Sequence, residues 1–142
     1  LKLRRALRKS SMLSADVNAG YDPLDAEAFE KNNAAYLGKG AVISKYTGSR
    51  GKGGSNDANA EYLGKLRKTF DDQQVAYQTA ELGKIDVGGG GTIAYITAEY
   101  GMDVIDLGVA ILNMHAPYEI SSKADVYETS KCYKAFYEMK KD

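Results

Sequence analysis

A chain of 142 residues with 19 basic and 19 acidic side chains, 44% hydrophobic residues and no net charge is one domain or part of one. That balance excludes a disordered or fibrous chain and gives no reason to expect a nucleic acid or an anionic membrane as partner. One cysteine, Cys132, excludes an internal disulfide, so a cytoplasmic location is the expectation and Cys132 reads as a packing residue.

The first ten residues read as a basic helix carrying Leu3 and Leu7. They open without methionine, as if the helix were entered partway, and the expectation is a chain that begins inside a larger protein. No apolar h-region or cleavage site follows, so this is not a signal peptide. Ser11–Val17 alternates weakly and predicts a short strand with Asp16 near its end. A polar loop over 18–38 carries the Asp22-Pro23 turn signal. Gly40–Tyr46 predicts a strand, and Thr47–Gly54 a long glycine loop.

Ser55–Gln74 predicts a helix capped by Ser55 or Asn56, with Ala60, Leu63, Leu66, Arg67 and Phe70 at helical spacing. Val75–Glu81 predicts the next strand. Gly88–Gly91 opens a helix over Thr92–Tyr100 that Gly101 ends. Val104–Leu112 is apolar nearly throughout, as suits a central strand covered on both faces. Asp106 breaks the run Val104–Met114, which is in any case far short of the ~20 residues of a membrane span. Ser121-Ser122-Lys-Ala-Asp125 resembles a capping box and starts a helix to about Lys140, with Val126, Ser130, Tyr133 and Tyr137 as its inward stripe. Strand and helix alternate from residue 40 onward, which implies an α/β fold with an at least partly parallel sheet.

Two residues stand out chemically. His115, the one histidine, follows the apolar strand and precedes Pro117 and Glu119. Active-site ligands are commonly placed this way, at a strand's carboxyl end on a loop held by a scaffold. Glu119 is a carboxylate near enough in sequence to orient the imidazole. Asp16 ends an otherwise apolar strand, and a buried carboxylate is costly unless it is paired or binds a metal. Histidine and aspartate suit zinc or a similar divalent ion. The plainer alternatives are a hydrogen-bonded structural histidine and a turn-capping aspartate. Two ligands do not complete a site, and neither a second histidine nor HExxH is present.

The glycine loops match neither GxxxxGK[ST] nor GxGxxG. Gly88–Gly91 still leaves amides at a helix start, a general anion or carbonyl site, with a flexible turn as the plainer alternative. Lys39, Lys45, Arg50 and Lys52 form a basic cluster that reads more readily as solvated surface.

The motifs Ser14-Ala-Asp16-Val, Lys45-Tyr-Thr-Gly-Ser-Arg-Gly, Ser55-Asn-Asp-Ala-Asn-Ala, Gly88-Gly-Gly-Gly-Thr-Ile and Leu112-Asn-Met-His115-Ala-Pro-Tyr-Glu119 occur in this order. Together they resemble the M18 family of metallo-aminopeptidases, the aspartyl aminopeptidase group in its bacterial form, over nearly the whole chain. The resemblance implies a three-layer α/β/α zinc-peptidase-like domain, of which residues 1–142 would be the C-terminal segment. It implies two zinc ions, peptide substrates and assembly into a homo-oligomer, a dodecamer in the complete protein. By position, Asp16 resembles the carboxylate ligand of one metal and His115 the histidine ligand of the other. Lys45 aligns with a substrate-binding lysine, and Gly89, Gly90 and Gly91 would lie near the substrate. The family's other histidine, its bridging aspartate and its Glu-Glu pair, which includes the general base, would lie upstream of this segment, and the β-rich assembly domain outside it. Eukaryotic members carry a histidine three residues after the Asp16 equivalent, where this chain has Ala19.

Three readings follow: part of a two-metal aminopeptidase, inactive as this chain alone; a non-catalytic truncated or degenerate segment that keeps the fold and assembly surfaces; or an anion-binding α/β domain using Gly88–Gly91. Zinc is the expected metal, and cobalt or manganese suit the same ligands.

Overall fold

A computed structural model of the chain describes residues 1–49, 53–84 and 89–140. Its elements are α1 (Lys2–Arg8), β1 (Ser11–Ser14), β2 (Asn18–Ala19), β3 (Ala41–Ser44), β4 (Tyr46–Ser49), β5 (Gly53–Asp57), α2 (Ala60–Asp72), β6 (Tyr77–Thr79), α3 (Ala94–Ala98), β7 (Asp103–Gly108), β8 (Ala110–Leu112), β9 (Ile120–Ser121) and α4 (Lys123–Glu138). A 3-10 segment, Pro23–Ala28, lies in the polar loop, with the Asp22 side chain accepting from the Leu24 amide. Arg50 and Lys52 of the basic cluster, and Gly88, lie outside the described residues.

The main sheet has the order β1-β7-β3-β6. β1 pairs parallel with β7, β7 antiparallel with β3, and β3 parallel with β6. The fold is α/β, and the sheet is parallel only in part. β7 lies inside the sheet, which is why its sequence reads as an apolar run. Alternation along it separates two faces. Ile105 and Leu107 point into the main core with Ile43, Tyr62, Leu66 and Phe70, Tyr62–Phe70 from α2 and Cys132 and Ala135 from α4. Val104 and Asp106 point the other way, toward the β4–β5 hairpin and α3. Burial pushes the Cys132 thiol up to about 12, so this cysteine is the inert packing residue its sequence context suggests.

Two expected helices start or face differently. α2 begins at Ala60, not Ser55, because residues 53–57 pair with β4 in a hairpin. Asn56 is buried there and donates to the Val104 carbonyl at 3.2 Å. The cap is Asn59, which accepts from the Glu61 and Tyr62 amides at 2.8 and 3.3 Å. Residues 47–49 and 53–54 of the glycine loop expected over Thr47–Gly54 belong to the same hairpin.

α4 is capped by Ser122 as expected, but its buried face is Asp125, Thr129, Cys132 and Ala135. Val126, Ser130 and Tyr137 are exposed, and Tyr133 is half-buried with its hydroxyl on the Leu107 carbonyl at 3.0 Å. The phase is set by a carboxylate. Asp125, 1% exposed, accepts from the Gly38 and Gly40 amides at 2.7 and 2.8 Å and so clamps the entry to β3. Gly40 has φ +90° and no space for a side chain, since a Cβ would lie 2.2 Å from the Ala76 oxygen.

Asp125→Ala strands both amides and should lower the unfolding free energy by about 2–4 kcal/mol, read from urea denaturation. A loss below about 1 kcal/mol, the yield of one ordinary hydrogen bond, would show that the clamp is dispensable.

Candidate metal centre

β1 and β7 pair from Ser11↔Asp103 to Ser14↔Asp106, and β2 and β8 pair as Asn18↔Ala110 and Ala19↔Ile111. Both stretches keep one register, so Asp16 stands opposite Gly108 in the interruption between them. A Cβ on Gly108 would lie 1.9 Å from the Asp16 carbonyl oxygen. The Asp16 amide turns back to the Ser14 carbonyl at 2.9 Å, and the Val17 amide donates to Asp16 Oδ1 at 2.9 Å. Pairing resumes where the Asn18 amide donates to the Val109 carbonyl at 2.9 Å. Asp16 is half-buried at this bend.

The other branch of the ladder leads to His115. β8 pairs antiparallel with β9, with Leu112 facing Ile120, so residues 113–119 form the connecting loop. The Ala116 amide donates to the Asn113 carbonyl at 2.9 Å, closing a turn whose third residue is His115 with φ +66°. Met114 is not in the left-handed region, so the turn is of the type II kind, which normally takes glycine at that position. Asn113 is itself left-handed at φ +58°. A non-glycine residue held this way costs about 1 kcal/mol or more. The Glu119 carboxylate reaches the His115 backbone rather than its ring, accepting from the main-chain amide at 2.7 Å. The imidazole is exposed and makes no hydrogen bond to the described residues.

Next to Asp16 lies a buried polar row with little signature in the sequence. Asp106, 2% exposed, faces Ser14 on β1 and Ser44 on β3. Its Oδ2 accepts from Thr92 Oγ1 at 2.9 Å and Thr47 Oγ1 at 3.4 Å. Ser44 Oγ accepts from Asn18 Nδ2 at 2.5 Å. Among the described residues, Asp106 Oδ1, Ser14 Oγ and Asn18 Oδ1 are buried without a partner in hydrogen-bond geometry. Burial raises the Asp106 pKa; the Ser14, Thr92 and Thr47 hydroxyls oppose the rise, and the Asp16 charge adds to it. The available signal was one acid in the middle of an apolar strand.

Lys45 follows β3 and pairs with Asp57 across the hairpin neck. Because Val42 faces Gly108 and Ser44 faces Asp106, β3 runs away from the Asp16 bend as it approaches Lys45. Lys39 and Lys45 flank β3 at opposite ends, so they do not form one patch. Gly89–Gly91 pack on the hairpin, with the Gly48 amide donating to the Gly90 carbonyl at 3.1 Å. The glycines there serve the close approach of two backbones.

An imidazole without a partner among the described residues and a carboxylate with one oxygen on a neighbouring amide fit a borderline divalent cation as donors. They fit as part of a site only. Among the described residues no three His, Cys, Asp or Glu side chains come together in a way that could hold a metal.

The sequence model of the family described as Aminopeptidase I zinc metalloprotease (M18) matches residues 2–137. The chain belongs to the M18 family. A probable M18 family aminopeptidase 1 from Clostridium acetobutylicum is 66% identical over 136 residues, which is 96% of this chain and 29% of that protein. Its counterpart in Thermotoga maritima is 48% identical over 136 residues, 96% of this chain and 30% of that protein. Among solved structures, aminopeptidase I from Clostridium acetobutylicum superposes with a TM-score of 0.91 at 64% identity, over 99% of this chain and 30% of that one. The M18 aminopeptidase of Thermotoga maritima gives 0.92 at 48% identity, over 97% and 31%. The chain therefore spans about 30% of the length of the M18 relatives it matches.

Asp106 offers a pH test. An acid whose folded pKa is raised holds its proton more tightly when folded, so stability is full below the unfolded value of about 3.9 and falls as pH rises through the folded value. Wild type should therefore lose stability relative to Asp106→Asn as pH rises above about 4, read from urea denaturation across a pH series. A wild type that keeps pace with Asp106→Asn, or gains on it, as pH rises would show that burial does not raise the Asp106 pKa.

Proposed function

We propose that this chain supplies part of the two-metal site of a zinc-dependent aminopeptidase that hydrolyses the N-terminal residue of peptides. The M18 match across residues 2–137 carries this reading. Asp16 would hold one metal and His115 the other, each presented by a branch of the β2–β8 ladder. Zinc bound there would polarise the scissile carbonyl and lower the pKa of its water. Within this chain, the bend at Asp16 leaves one carboxylate oxygen clear of the Val17 amide, and the turn at His115 leaves the imidazole clear of the backbone. Lys45 and Gly89–Gly91 are the proposed contacts to substrate.

The remaining ligands and the general-base glutamate belong, on this reading, to the part of the protein that the other 70% or so of the relatives' length represents. The chain alone is inactive. We infer a cytoplasmic homo-oligomer, a dodecamer in the complete protein. A yeast aminopeptidase of the same fold, 23% identical with a TM-score of 0.75, was solved as a dodecamer.

In the complete protein, His115→Ala should release one zinc equivalent, measured by metal analysis, and should leave the circular dichroism unchanged. The loss of turnover should exceed the ~10–100-fold that follows loss of an outer partner. Full zinc content with retained turnover would sink the ligand assignment.

A further inference from the structure

We infer that Glu119 is a positioning residue: by accepting from the His115 amide it holds that residue in the left-handed turn and so fixes the direction of the imidazole. The inference rests on reading His115 as a metal ligand. The bond is 2.7 Å, and it spans the loop from its far end. Glu119 adjoins Ile120, which is paired with Leu112 across β8 and β9, so its main chain is anchored where the loop closes. His115 has no such anchor. Its turn is closed by one bond, Ala116 amide to Asn113 carbonyl, and both Asn113 and His115 have positive φ.

A histidine at a position suited to glycine would relax toward ordinary φ if nothing held its amide. Rotation about φ swings Cβ, and with it the whole imidazole. Outer partners of metal-bound histidines usually act on the second ring nitrogen. Here the anchored carboxylate acts one step earlier, on the backbone, and leaves both ring nitrogens free. Pro117, between the two residues, removes one amide from the loop and limits its alternatives.

The test uses the complete protein and measures zinc affinity by chelator competition, with the absorption spectrum of the cobalt-substituted protein as a second readout of ligand geometry. Glu119→Ala should weaken one zinc by about 10–100-fold and change the cobalt spectrum. Glu119→Gln keeps an acceptor oxygen and should recover most of the affinity and the wild-type spectrum. Wild-type zinc affinity in Glu119→Ala, with a zinc lost in His115→Ala, would overturn the positioning role and leave the ligand reading standing. Both zincs retained in His115→Ala would remove the reading beneath it. Glu119→Gln as weak as Glu119→Ala would show that charge, rather than the acceptor, matters, and would overturn the hydrogen-bond account.

Discussion

Gly108 is where two strands would collide if it carried a side chain. The Asp16 carbonyl occupies the place of a Cβ on Gly108. Around that contact the β1–β7 ladder lets go, and two residues later it resumes in the same register as β2–β8. The interruption does two jobs. It takes Asp16 out of the ladder, so that its carboxylate is free to turn outward. It also redirects both strands together, so that β8 delivers the chain toward His115. A larger residue at 108 would have to push the β1 chain away, and the displaced residue would be the proposed ligand itself.

Behind the bend, the buried row around Asp106 ties separate pieces to one place. Thr47 brings the hairpin, Thr92 brings the start of α3 and the glycine segment before it, and Ser14 and Ser44 flank the acid on the neighbouring strands. A carboxyl in this position is costly to bury, and three atoms of the row lack partners among the described residues. An apolar residue would pack there at lower cost but would leave the two threonine hydroxyls without their acceptor. The row therefore fixes which loops meet above β7, next to Asp16.

Much of the fold was legible because its signals are local. The basic first helix, the apolar face of Leu66 and Phe70, and the apolar run of β7 depend on spacing alone. What could not be read depends on partners distant in sequence. Ser55 and Asn56 look like helix caps until β4 offers them a strand to pair with. The inward face of α4 was misphased because Asp125 is buried on the amides of Gly38 and Gly40, and no apolar periodicity announces that. That Asp16 and His115 stand out as proposed ligands was legible through motifs. The role of Glu119 was not, because sequence shows a carboxylate four residues away and cannot show whether ring or backbone receives it.

Both proposed ligands flank one small sheet rather than the main one. Asp16 precedes β2 by two residues, and His115 follows β8 by three; β9, the third strand, is exposed. Three strands of two or three residues bury little and would not hold a shape alone. Their rigidity is inherited: β2 and β8 continue the register of β1 and β7, whose inward residues Ile105 and Leu107 are fully buried. The order of dependence runs from core to ladder, from ladder to bend and turn, and from these to the two side chains. Each step outward replaces apolar burial with a few directed hydrogen bonds. The strain at His115 sits at the last step, where one carboxylate opposes it, so single substitutions there should alter the proposed metal site while leaving the fold intact.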